Sequence, residues 1–236
     1  MKQTSIRIAQ RFCGPPDSGN GGYVCGILDE QTPYVSEVTL RKPPPLEKDL
    51  QLVWKENELY LMDGEALVAS VRPGSLDQQA PPTPGFTQAQ AAASRHIGHQ
   101  TPTAFPTCFV CGLERAAKDG LAIYAGPVEE QDIYAAPWVP DASLSDDGTS
   151  VRPEFIWAAL DCPGAYAAMG QETMTIVLGR FTVELMGGVV VGEKCTVVAW
   201  TKGVERKKHF CGTALYGETG KLVAVGHATW IALSNN

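Results

Sequence analysis

NGGYVCGILD at residues 20–29 and RPEFIWAALD at residues 152–161 can be laid over each other without a gap. An aromatic ring stands at Tyr23 and Phe155, an aliphatic side chain at Val24 and Ile156, and a small residue at Gly26 and Ala158. A Leu-Asp pair closes each segment, at Leu28-Asp29 and Leu160-Asp161. Both segments are apolar nearly all round, so each reads as a helix buried on every side rather than as an amphipathic surface helix. Further along, Val38-Thr39-Leu40 matches Val183-Glu184-Leu185, and Leu67-Val68-Ala69 matches Leu222-Val223-Ala224. Matches that recur in the same order point to an internal duplication.

Strand-like stretches surround each helix. In the first half they are Ser5–Phe12, Glu37–Arg41, Leu50–Trp54, Glu58–Met62 and Ala66–Val71, with turn signals at Pro43–Pro45 and Asp63-Gly64. In the second they are Leu121–Tyr124, Asp132–Ala135, Thr175–Leu185, Lys194–Thr201, Lys207–Tyr216 and Leu222–Ile231, several rich in Val, Thr and aromatic residues. Between the halves lies a stretch rich in Pro, Gln and Ala, with a short helix expected near Thr87–Arg95. The expected organisation is a first repeat over 1–75, a connector over 76–106 and a second repeat over 107–236. The fold class is α+β, each repeat a curved antiparallel sheet wrapped around a central helix. Pro163-Gly164, just after Asp161, predicts a kink in the second helix.

Composition narrows the function classes. The net charge of −7 and a pI near 5.1 argue against nucleic acid as a partner, because phosphate binding needs a basic face. No apolar run approaches the roughly 20 residues of a spanning helix, so no membrane partner is expected. Seven scattered cysteines and an N-terminus without an apolar leader suggest a reducing, cytoplasmic setting. The sequence carries no Gly-x-Ser-x-Gly elbow, phosphate-binding glycine loop or dinucleotide fingerprint.

The loop and helix at residues 20–29 resemble the His-Gly-Gly-x4-Leu-x-Asp signature of hotdog acyl-CoA thioesterases. Asn20 stands where that family often has His, and Leu28 lies one place later than the signature's Leu. The second half keeps the Asp but has Pro153-Glu154 in place of Gly-Gly. FPTCFVCG at 105–112 and WAALDCP at 157–163 also resemble thioesterase-like double-hotdog proteins. The resemblance implies a double hotdog that acts on an acyl thioester. Non-catalytic acyl binding and hydratase or dehydratase chemistry are its rivals, and the second of these usually pairs a His with its carboxylate. A double hotdog already contains the pair that single hotdogs form by dimerising; further pairing to a homodimer is open.

Thioester hydrolysis needs a polarised carbonyl, an activated water and an acyl pocket. Gly21 and Gly22 lie where a helix should begin, and its first N–H groups are free to hold an oxyanion. Asp29 lies two turns on, close to the same helix face, and could activate water or attack the thioester; Asp161 is its partner by duplication. Asn20 could hold the water or the carbonyl. Tyr23, Arg152, Glu154 and Trp157 are the expected substrate-binding neighbours, with Arg152 facing either a phosphate or Glu154. One working and one altered site are expected.

Cys108-x-x-Cys111 has no second such pair, and His96 and His99 nearby fit no zinc-finger spacing, so the expectation is two buried thiols with no metal and no cofactor. The basic stretch Lys202, Arg206, Lys207, Lys208 and His209 reads as a solvated hairpin, and His227 as a core or interface histidine.

Overall fold

The computed structural model describes residues 4–170, 172 and 174–233. The first half runs β1 (Ser5–Arg7), α1 (Gly21–Asp29), β2 (Ser36–Leu40), β3 (Asp49–Lys55), β4 (Glu58–Asp63) and β5 (Ala66–Pro73). Helix α2 (Phe86–Ala93) follows. The second half runs β6 (Gly126–Pro127), β7 (Tyr134–Trp138), α3 (Pro153–Ala159), α4 (Asp161–Met169), β8 (Ile176–Leu185), β9 (Cys195–Glu205), β10 (Lys208–Tyr216) and β11 (Leu222–Ala232).

All eleven strands join one antiparallel sheet in the order β1-β3-β4-β5-β2-β8-β11-β10-β9-β7-β6. From the central β2–β8 joint the order 2-5-4-3-1 runs one way and 8-11-10-9-7 the other, so the two halves are related by a pseudo-two-fold axis. The joint is short: Glu37 pairs with Thr182, Val38 with Phe181 and Thr39 with Arg180.

Helices α1, α3 and α4 lie buried within the curve of the sheet, and the starts of α1 and α3 follow from local chemistry. Asn20 caps α1, its Oδ1 accepting the Tyr23 N–H at 2.9 Å. Pro153 opens α3 at the first helical position, where its missing N–H costs nothing. The two helices touch backbone to backbone. A Cβ on Gly22 would fall 2.5 Å from Asp161 Cβ and 2.8 Å from Trp157 O. One on Gly26 would fall 2.6 Å from Glu154 Cα. Any side chain at these positions would force the helices apart.

Three details differ from the sequence reading. The strand expected over Ser5–Phe12 ends at Arg7, and a 3-10 turn takes Gln10–Phe12. Leu121–Tyr124 joins no ladder; the N–H groups of Leu121 and Ile123 instead bond Phe109 O and Val110 O at 2.8 and 2.9 Å. The second helix breaks at Leu160, before Pro163-Gly164 rather than at it. Pro163 then falls in the first turn of α4, where a proline breaks no helical bond, and Gly164 packs against Trp230 and Thr213. The connector helix is α2, whose Ala89 and Ala92 are fully buried where it packs on β6 and β7.

Gly26→Ala should destabilise the fold by about 1–3 kcal/mol, the usual cost of forcing volume into a packed interface. Gly188→Ala, where an added Cβ meets nothing within 4 Å, is the control and should change stability little. Urea unfolding of both variants against the parent chain checks the difference.

Candidate functional site

The close approach of α1 to α3 brings Asp161 against the start of α1. Asp161 Oδ2 accepts the Asn20 side-chain amide at 2.8 Å and the Gly22 N–H at 3.0 Å. Asn20 therefore does two jobs, capping its own helix through Oδ1 and bracing the carboxylate through Nδ2. Asp161 is only 2% exposed, and its Oδ1 has no hydrogen-bond partner among the described residues. Burial pushes its pKa up to about 7, against the Gly22 N–H; the Cys108 sulfur nearby raises it further and the Asn20 amide opposes.

This carboxyl forms part of the wall of a cavity of about 490 Å³. Asn20 and Gly21 line it from α1, and Phe105, Met169, Leu178 and Trp230 supply apolar wall. Gly21 is the first residue of α1, so the helix offers no acceptor for its N–H. Arg41 and Lys42 line the same cavity and are exposed, which puts positive charge at its rim. No histidine lines the cavity among the described residues.

Asp29 occupies the counterpart position on the other side of the pseudo-two-fold, away from this cavity. Burial raises its carboxyl pKa, opposed by Ser36 and the Trp157 indole, although neither makes a well-formed bond to its buried Oδ1. Here the second half supplies Glu154 where the first has Gly22. Glu154 is fully buried and ion-paired with Arg152, which also reaches Asp146 at 3.3 Å. Trp157 is fully buried with its ring edge-on to Phe181 at 5.4 Å. The Asp161 side thus borders a cavity, whereas the Asp29 side holds a buried acid, its arginine and a buried indole.

The expected site residues therefore divide. Asn20, Gly21 and Asp161 come together at the cavity, with the Gly22 N–H bonded to Asp161. Asp29, Arg152, Glu154 and Trp157 form the closed counterpart. Tyr23 belongs to neither: its ring stacks on Phe12 at 4.1 Å and Phe155 at 5.7 Å in the core, and burial raises its pKa. Sequence reasoning missed Arg41, Lys42 and Leu178, whose approach depends on the sheet closing around the helices. It also missed Cys162, which joins Cys108 and Cys111. Its one signal was adjacency to Asp161.

The basic stretch at Lys202–His209 forms the β9–β10 hairpin, where His209 is buried while Arg206 and Lys208 are exposed. His227 is half-buried with Lys202 Nζ 3.0 Å from its Nε2, and burial followed by that charge lowers its pKa.

No family model matches the chain, and no curated protein does. Solved structures do match, over nearly its whole length. A protein proposed to be a thioesterase from Novosphingobium aromaticivorans superposes with a TM-score of 0.63 at 14% identity, over 98% of this chain and 95% of that one. The tesB protein of Mycobacterium avium subs paratuberculosis superposes with a TM-score of 0.60 at 11% identity, over 92% of this chain and 88% of that one. This chain is a double hotdog. A conserved protein with the hotdog fold from Alicyclobacillus acidocaldarius matches at 0.56 and 11% identity over 98% and 93% of the two chains. Identities this low show the shared fold. The double hotdog has no helix among the described residues long and apolar enough to cross a membrane.

The closed counterpart has a measurable signature. Glu30 is exposed along much of its length, but its carboxyl meets Glu154; burial of that end, then the Glu154 hydrogen bond and charge, raise its pKa to about 7 from 4.5. Between those values the folded chain holds a proton that the unfolded chain has lost, so stability should fall as pH rises through that window. Solvent screening keeps the slope shallow. Glu30→Gln should flatten it, as read from melting temperatures across pH 4.5 to 7.

Proposed function

We propose that this double hotdog hydrolyses acyl thioesters, with Asp161 as the base and the start of α1 as the oxyanion site. The observation that carries the reading is Asp161 itself: a desolvated carboxyl on a largely apolar cavity, fixed through one oxygen by Asn20 and Gly22 with the other unpartnered. Asp161 Oδ1 would take a proton from water as the water oxygen attacks the thioester carbon. The Gly21 N–H, aided by the helix dipole, would hold the oxygen that becomes negative. The tetrahedral species then collapses, the carbon–sulfur bond breaks, and the departing thiolate takes the proton from Asp161, which restores the carboxylate. Asn20 is a positioning residue for Asp161 here. The acyl chain would lie along Phe105, Leu178, Met169 and Trp230.

Hydration or dehydration chemistry is less well supported, since no histidine among the described residues lines the cavity beside the carboxyl. Seven free thiols fit a reducing compartment such as the cytoplasm.

Thiol release from a panel of acyl-CoAs tests the assignment. Asp161→Asn should lower kcat by about 100-fold or more, the range for losing a general base, with little change in KM. Asp29→Asn should stay within a few-fold of the parent. Equal loss in both variants would refute the choice of site. No release from any acyl-CoA or acyl-carrier substrate would refute hydrolysis in favour of acyl binding.

Arg41 and Lys42 at the cavity rim suit the phosphates of a coenzyme A carrier. The double variant Arg41→Ala/Lys42→Ala should raise KM for acyl-CoA several-fold at low salt, and the difference should shrink as salt is added. Thioesters of pantetheine, which lacks the nucleotide phosphates, should show no such change.

A further inference from the structure

Cys108, Cys111 and Cys162 reach one point from two separate segments. Their Sγ atoms all lie within 4.8 Å of one another, and those of Cys108 and Cys162 are 3.6 Å apart. All three are buried, and all are free thiols. A tetrahedral zinc ion with zinc–sulfur bonds of about 2.3 Å spaces its sulfurs about 3.8 Å apart. The trio is therefore close to ligating distance before any ion arrives.

The turn that carries two of these thiols is tightly packed. The Gly112 N–H bonds Cys108 O at 2.8 Å, and a Cβ on Gly112 would fall 2.5 Å from that oxygen, so the turn requires glycine. The Cys108 sulfur is in hydrogen-bond contact with the Cys162 thiol. The Asn20 amide lies 3.8 Å from the same sulfur, and the Tyr166 hydroxyl donates to Cys111 Sγ at 3.5 Å. Outer hydrogen bonds of this kind orient ligand atoms and tune a bound metal.

We propose that Cys108, Cys111 and Cys162 form a three-thiolate site for a zinc-type divalent ion, with its fourth position opening on the cavity. All three residues line that cavity, and no further His, Cys, Asp or Glu joins the cluster among the described residues. Binding forms three sulfur–metal bonds and passes the displaced thiol protons to solvent. The proposal departs from the expectation of two inert thiols, drawn from the lone Cys108-x-x-Cys111 pair, because a third sulfur comes from the start of α4. It does not depend on thioester hydrolysis and would stand if that reading failed.

Elemental analysis of the full chain, purified under reducing conditions, should find about one zinc per chain, the stoichiometry of a single site. Metal-free wild type titrated with cobalt(II) should develop sulfur-to-cobalt charge-transfer absorption and the intense visible bands of a tetrahedral site. Cys162→Ser should weaken metal binding at least about 10-fold. Cys195→Ser, at a buried thiol outside the trio, should leave it unchanged. If Cys162→Ser fails to fold, the wild-type titration still decides. Natively folded wild type that retains no zinc and gives no cobalt–sulfur bands overturns the proposal. So does Cys162→Ser binding metal as tightly as the parent, or recovery of copper or iron in place of zinc.

Discussion

Two glycines on one face of α1 govern the rest of the molecule. With no side chain at Gly22 or Gly26, α1 lies against α3 at a distance that leaves no room for a methyl group. That approach seats the start of one helix against the Leu160 break that follows the other. The carboxylate of Asp161 then finds the Gly22 N–H and the Asn20 amide waiting. The Asp161–Gly22 and Asp161–Asn20 hydrogen bonds both depend on this close contact. A wider helix separation would leave Asp161 buried without donors, a costly state for a carboxylate.

The pseudo-two-fold makes two equivalent places, and the sequence treats them differently. On one side the Gly22 N–H bonds a carboxyl that forms part of a cavity wall. On the other, Glu154 stands in the glycine's place, buried and ion-paired with Arg152, and Trp157 is buried too. Each place draws its helix start from one half and its aspartate from the other. Neither half alone contains a complete site.

Much of the fold was legible because it rests on local pattern. The apolar, ungapped match of residues 20–29 with 152–161 identified both central helices, and alternation located the long strands from Glu37 to Ile231 to within a few residues. The misses fell where tertiary contacts override pattern: Leu121–Tyr124 looks like a strand but gives its backbone bonds to the loop at Phe109 and Val110. In the site, Asn20, Gly21, Gly22 and Asp161 were all recognised as chemically interesting. Their pairing was not, since helix periodicity joins Gly22 to Asp29 within a chain segment, and only the helix crossing joins it to Asp161. Cys162 and the rim cations were invisible for the same reason, being brought in from distant sequence.

The asymmetry between Gly22 and Glu154 has a meaning for how such a protein can change. In an assembly of two identical single hotdogs, every substitution strikes both sites at once, so a residue that fills one cavity fills the other and abolishes function altogether. Covalent fusion removes that constraint. Once the two copies are encoded separately, one can be closed and packed for rigidity while the other stays open for ligand. The pairing of partly exposed Arg152 with buried Glu154 is a change of the kind that fusion permits, made in one copy and absent from the other.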